Sequence, residues 1–396
     1  MICFFCFQNK NREYPMLKYV SCLAFVLFMA SPACAQEVSF SQGMNGFGEN
    51  VLVQLVEKAG PRDNVLVSPY SMSSALSLAA LGARGTTREE MEKVLELPDG
   101  WNAAHQNLAK ALKADEGVTL SMANGIWGAQ DTKFRRMFRR QAERSFGAKI
   151  ESVDFADPET LPMINGWVSK ETRGMIPDLI DQLDPDLVAV LVNALYFKGD
   201  WKDAFDVKGT SDEDFHFADG GVQKISMMHR RDDFAYAAEE GWQAVALPYI
   251  GDAFELVVVL PAEGKLPLES LGAALKTGFD KRKGYLGLPK LDLSSGVELA
   301  KVLEDMGMKQ AFLPVADFSA MCDRAAFISR VIHKVAMKMD EKGTEAAAAT
   351  AVMMMKTAFM VEDPPFRMVV DRPYGIALRH RTSGAILFMG VVANPA

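Results

Sequence analysis

The chain of 396 residues carries 43 lysines and arginines against 51 aspartates and glutamates, a formal net charge of −8 with histidine neutral. That balance excludes a molecule built as a whole to coat nucleic acid or an anionic membrane, and leaves only a local basic patch for such work. Hydrophobic residues make up 49% of the chain, enough to fill the core of one large domain or of two or three ordinary ones.

Met16-Leu17-Lys18, the apolar run from Tyr19 to Met29 and Ser31-Pro32-Ala33-Cys34-Ala35 have the layout of an export signal. Ala33-Cys34-Ala35 predicts cleavage before Gln36 and a secreted or periplasmic protein. The alternative, a lipid anchor on Cys34, has to use a lipoprotein box without leucine three residues before the cysteine. Residues 1–35 are assigned to the signal region, with Met16 as a candidate start, and 36–396 to the mature domain. Cys3, Cys6, Cys22 and Cys34 all fall in or before the signal, so Cys322 alone is left and no intramolecular disulfide is expected. Cys3-Phe4-Phe5-Cys6 has redox or metal spacing but stands at a chain end, outside any strand–helix context.

Phe47, Val51, Leu52, Leu55 and Val56 recur at helical spacing and predict a helix between Gly43 and Gly60. Asn64 to Val67 reads as a short strand running into a buried helix of small residues that stops at Gly82. Thr86 or Thr87 is read as the cap of the next helix, through Glu89, Met91 and Leu95. A strand is expected from Val118 to Gly128. Lys133 to Phe146 reads as an amphipathic helix with Phe134, Phe138 and Ala142 inward and Arg135, Arg136, Arg139 and Arg140 outward. That basic face is either solvated or a site for a polyanion.

Ile164 to Ile176 reads as a helix ended by glycine, and Leu187 to Trp201 as a strand rich in β-branched residues. Further strands are expected at Gln243 to Pro248, Phe254 to Leu260 and Gly284 to Leu293, with a helix from Leu299 to Gly307. Val331, His333, Val335, Met337 and Met339 alternate at the period of a strand. No linker or repeat divides the chain after residue 40, and strands do not alternate with helices as in a parallel α/β protein, so one α+β domain is expected.

After that last strand, Gly343 supplies a hinge and the residues that follow carry almost no bulk, no proline and one charge. As a helix, Thr344 would cap a run of alanines, but Ala346 to Met355 would offer water no charged face. At period two, Thr344, Ala346, Ala348, Thr350, Val352 and Met354 form one face of small to medium residues able to enter a sheet.

Glu341-Lys342-Gly343-Thr344-Glu345-Ala346-Ala347-Ala348-Ala349 resembles the hinge of the reactive-centre loop of inhibitory serpins. Asn64 to Thr87, Asn193 to Trp201, Pro364 to Ile376 and Thr382 to Pro395 resemble other serpin segments, with Tyr374 standing where the family mostly has phenylalanine. The resemblance implies a single serpin domain with three β-sheets, about eight to nine helices and an exposed reactive-centre loop at about residues 341–362. It places the hinge at Glu341, Gly343, Thr344, Ala346, Ala347, Ala348 and Ala349. It assigns Ser68, Ser71, Asn193 and His333 to a polar network under the centre of the main sheet.

Function follows as an expectation: a suicide-substrate inhibitor whose loop is cleaved by a serine protease and inserts into the main sheet with the enzyme still attached. The implied reactive bond is Thr357–Ala358, which suits elastase-like or subtilisin-like enzymes. Lys356 is the alternative for trypsin-like proteases and Met355 for chymotrypsin-like ones; papain-like cysteine proteases are further candidates. His105, His216, His229, His333 and His380 form no H-E-x-x-H motif, and no G-x-S-x-G or P-loop occurs, so an enzyme is not expected. Neither cofactor, metal nor nucleic acid is expected, and the protein is taken as a monomer. The alternative function is that of a non-inhibitory serpin, a binding or storage protein working through the α-helical arginine face.

Overall fold

The computed structural model describes residues 32–113, 118–344 and 364–395. Helix α1 (Pro32–Val56) buries Phe40, Met44, Phe47, Val51 and Leu52, and leads to β1 (Val65–Val67) and α2 (Pro69–Gly82). Ser68 caps α2: its Oγ accepts from the Ser71 amide at 3.1 Å, and Pro69 follows in the first turn. The serines, alanines and terminal glycine let α2 be buried on almost every side. Helix α3 (Gly85–Val94) corrects the expected cap. Arg84 stands at its start with no side-chain capping bond, and the Thr87 hydroxyl, inside the helix, accepts from the Asp317 amide at 2.9 Å. A contact distant in sequence uses the group that local sequence had marked for capping.

There follow α4 (Trp101–Lys113), β2 (Val118–Ala129), α5 (Arg136–Phe146), β3 (Lys149–Val153), α6 (Thr160–Glu171) and β4 (Ala189–Asp200). Helix α6 starts and stops earlier than expected. The chain leaves it through Arg173 and Gly174, with φ of 55° and 82°, the left-handed exit that glycine favours. Next come β5 (Ser211–His216), β6 (Val222–Glu239), β7 (Trp242–Pro248), β8 (Phe254–Pro261), α7 (Pro267–Ala274), β9 (Asp280–Pro289), β10 (Leu291–Glu298) and α8 (Ala300–Asp305). The chain ends in β11 (Arg330–Met339), β12 (Gly343–Thr344), β13 (Phe366–Val369), β14 (Tyr374–His380) and β15 (Ile386–Val392).

The main sheet runs β10-β11-β4-β2-β3, with β12 paired to β4. A second sheet, β1-β15-β14-β8-β7-β6, is continuous with a third made of β5, β6, β9 and β13, because the 18 residues of β6 serve both. Three sheets and, among the described residues, eight helices give the expected α+β serpin fold. The single strand expected at Gly284 to Leu293 is instead two. Pro289 ends β9 in the third sheet, the Lys290 amide turns to the Ser226 carbonyl at 3.0 Å, and Leu291 begins β10 in the main sheet.

The two faces of the main sheet have separate cores, set by the two-residue period. Val190, Val192 and Ala194 of β4 and Ile332 and Ala336 of β11 pack with Ile164 and Val168 of α6. Leu191, Leu195, Val331, Val335 and Met337 face the large core shared with α1, α2 and the second sheet. Tyr374 is fully buried in β14 and its hydroxyl has no hydrogen-bond partner; burial holds the phenol far above its usual pKa. An unpaired buried hydroxyl costs about 1–3 kcal/mol. Tyr374→Phe should therefore leave the thermal midpoint unchanged or raise it, whereas a lowered midpoint in thermal unfolding would show that the hydroxyl has a role.

Candidate functional site: the seam of the main sheet and its hinge

At the centre of the main sheet, β11 and β4 run parallel and pair from Arg330↔Val190 to Ala336↔Tyr196. Beyond that point they separate. The chain turns at residues 340–342, where Asp340 Oδ1 accepts from the amides of Lys342 (2.9 Å) and Gly343 (3.3 Å). Gly343 and Thr344 then pair with Asp200 and Gly199 on the edge of β4 that β11 has left, and they run antiparallel to it. Strand β12 therefore points back down the seam. Gly343 is required by closeness: a Cβ there would strike the Gly199 carbonyl and stand 2.6 Å from Asp200 Cα.

The turn is pinned on several sides. The Trp201 amide donates to Lys342 O at 2.8 Å, its indole Nε1 to Asp340 O at 3.0 Å, and the Phe205 amide to Glu341 O at 2.7 Å. Glu341 is buried; its Oε1 accepts from the Thr210 hydroxyl at 2.7 Å and its Oε2 lies 3.1 Å from Lys290 Nζ. Burial opposes the ionised carboxyl, but the Thr210 hydroxyl and Lys290 ammonium outweigh it and hold Glu341 below the ordinary carboxylate range. Thr344 is buried too, its hydroxyl 2.8 Å from that of Tyr249. The Tyr249 ring stacks on Trp201 at 4.5 Å and meets the edge of Phe197 at 5.0 Å. The first hinge residues thus already occupy the mouth of the seam. Ala346, Ala347, Ala348 and Ala349, the bond Thr357–Ala358, and Lys356 and Met355 lie outside the described residues.

The structure brings together all four residues expected beneath the sheet. His333 and Asn193 are direct partners across the seam, with Nδ1 2.7 Å from Asn193 Oδ1. Ser71 Oγ donates to the same oxygen at 2.7 Å, and the Ser68 amide donates to His333 Nε2 at 3.1 Å. Because Nε2 accepts, the proton sits on Nδ1 and donates to Asn193. Sequence reasoning missed the rest. Asn193 Nδ2 donates to Asn124 Oδ1 (2.7 Å), Asn124 Nδ2 to Ser74 Oγ (3.0 Å), and Ser74 Oγ meets His105 Nε2 (3.0 Å). A polar Asn124 in an otherwise small and apolar stretch, paired in register with Asn193, was the available signal.

Arg135, Arg136, Arg139 and Arg140 are all exposed, as expected, on α5 and the residue before it, and Arg144 extends the row. Arg135 Nε donates to the Ser319 carbonyl at 2.6 Å, which fixes one end of the face. Phe134 precedes the helix and forms a bridge with Cys322.

Burial lowers the His333 pKa to about 3 and that of His105 to about 4. Both are neutral in the closed sheet, and both bind protons more readily once the sheet unfolds, at about 6.5. Their contribution is complete above about pH 6.5 and is lost as pH falls toward the folded values. The thermal midpoint should drop between pH 6.5 and 4.5, with a shallower slope in His333→Gln. An identical slope in the variant would remove His333 as a cause.

A main sheet with a parallel seam, a polar network across it and a two-residue strand paired at its end is the arrangement of an α+β serpin fold. The family model "Serpin (serine protease inhibitor)" matches residues 42–395. The chain is 36% identical over 375 residues to an uncharacterized serpin-like protein of Thermococcus kodakarensis, covering 91% of this chain and 87% of that one. It is 33% identical over 398 residues to plasminogen activator inhibitor 1 of Neovison vison, covering 94% and 97%. The crystal structure of Serpin48 from Tenebrio molitor superposes with a TM-score of 0.80 at 29% identity, over 90% of this chain and 98% of that one. A thyroxine-binding globulin complex with thyroxine gives 0.79 at 25% identity, over 91% and 99%. The chain belongs to the serpin family.

Proposed function

We propose that this serpin is a protease inhibitor that acts as a suicide substrate. The observation that carries the reading is β12, two residues long, set antiparallel at the mouth of the β4–β11 seam and followed in sequence by the small residues Ala346 to Ala349. The name of the plasminogen activator inhibitor relative supports it. A serine protease attacks the loop at Thr357–Ala358, with Lys356 or Met355 as the alternative bait residue, and is left as an acyl-enzyme. The freed strand continues from Thr344 down the seam. Each inserted residue parts the His333–Asn193 clamp further and fills the opening with new ladder bonds. About ten such bonds at roughly 0.5–1.5 kcal/mol each outweigh the clamp and can distort the attached catalytic site.

Elastase-like and subtilisin-like enzymes are the first targets, then trypsin-like ones, with papain-like cysteine proteases also candidates. The signal at residues 16–35 would deliver the inhibitor outside the cytoplasm, either free or anchored at Cys34. The test is to mix the mature chain with each protease class and look for a complex stable in denaturant. The released fragment is expected to begin at Ala358; a Thr357 start would move the bait to Lys356. Thr344→Arg, which puts a charge in a buried slot, should turn inhibition into plain cleavage, the ratio of complex to cleaved chain falling at least tenfold (a cost of about 1.4 kcal/mol or more). An unchanged ratio would refute entry through Thr344.

A second reading is a binding protein acting through α5, favoured by exposed arginines that, among the described residues, have no carboxylate partner. It predicts cleavage without any complex, and elution from a sulfated polysaccharide at clearly lower salt after Arg136→Ala and Arg140→Ala.

A further inference from the structure

The third sheet carries a charged row that loop insertion does not use. Arg367 on β13, Tyr285 on β9 and Arg231 on β6 are successive register partners across three adjacent strands. The guanidinium carbons of Arg367 and Arg231 stand 4.6 and 5.3 Å from the centre of the Tyr285 ring. The ring is itself held: it stacks on His229 at 5.4 Å, its hydroxyl lies 2.8 Å from His229 Nδ1, and His229 Nε2 lies 2.7 Å from Glu213 Oε1 on β5. One connected set of contacts therefore crosses all four strands and fixes two cations on a common aromatic support.

Both arginines are exposed. The nearby acids are engaged elsewhere: Glu213 with His229, Asp232 with Arg230 at 3.7 Å, and Asp233 with Lys281 at 3.1 Å. Two like charges held this close, neither with a salt bridge of its own among the described residues, favour an anionic partner and repel a cationic one. Their place in the chain says which partner. Strand β13 begins at Phe366, nine positions after Thr357. Even fully extended, that length spans no more than about 30 Å, and a protease of ordinary size has a radius of about 20 Å. An enzyme holding the Thr357–Ala358 bond in its cleft brings its own rim within reach of the row.

We propose that Arg231, Tyr285 and Arg367 form a second docking surface for the attacking protease, one that favours enzymes with an acidic surface beside the cleft. The proposal rests on the reading that the loop is protease bait. Its contribution is to the speed of encounter, since exposed complementary charges act mainly on association.

The test compares the mature protein with Arg231→Ala/Arg367→Ala by the second-order rate of loop attack, using acidic-rimmed and basic-rimmed members of the subtilisin-like, elastase-like and trypsin-like classes. At low salt the double variant should be attacked about tenfold more slowly by acidic-rimmed enzymes. The gap should close at about 0.5 M salt, where charges are screened within a few ångströms. Arg231→Lys/Arg367→Lys should restore most of the rate, and the thermal midpoint should not move. Equal rates for wild type and double variant at low salt with every protease would overturn the proposal. So would a loss that is the same for acidic and basic rims or persists at high salt. Loop attack is measurable whether or not a covalent complex forms, so failure of the trap shows as cleavage without complex, and failure of the docking surface as unchanged rates.

Discussion

The main sheet depends on a seam closed by backbone pairing and by a buried polar network. Strands β4 and β11 pair in parallel without a strand between them, and the polar groups at their centre are satisfied by one another: His333 by the Ser68 amide and Asn193, Asn193 by Ser71 and Asn124. Buried polar groups that are fully paired hold a structure rigidly, and the same groups become costly once one partner is withdrawn. A clamp of this kind differs from apolar packing. It resists small separations, and in the proposed mechanism it would give way to a new strand that supplies fresh backbone partners on both sides.

Around the seam, the rest of the fold provides direction. Helix α2 brings its serines beneath the sheet because small residues let it be buried on almost every side. Helix α6 covers the opposite face through Ile164 and Val168, and so lies across any path by which the sheet would widen. At the open end, Glu341 is tied to Thr210 and Lys290 while Thr344 shares a hydrogen bond with Tyr249, so the hinge is anchored on one side and already committed on the other. In the proposed mechanism, entry would proceed from Thr344 onward.

The charged row on the third sheet complements this arrangement in a different part of the reaction. In the proposed mechanism the seam acts after the loop is cut. Arg231 on β6 and Arg367 on β13, held on Tyr285, would in the proposed docking role act before the cut, when the enzyme first arrives. If both proposals hold, capture and trapping fall to separate sheets.

Periodicity and small-residue composition alone were sufficient for the β-branched strand β4, the alternation of β11 and the burial of α2, because these depend on local backbone geometry and side-chain size. The family resemblance supplied the hinge at Gly343 and Thr344 and grouped His333 with Ser68, Ser71 and Asn193, which spacing alone does not reveal. Contacts between residues far apart in the chain were decided only by the folded molecule. Thr87 was diverted from a cap to Asp317, Pro289 and Lys290 split one apparent strand between two sheets, Asn124 joined the polar network through the β2–β4 register, and His105 joined it through Ser74 of α2. The row Arg231–Tyr285–Arg367 is of the same kind: its members are separated by dozens of residues and become neighbours only when three strands align, since register sets which side chains meet and no local sequence pattern encodes it.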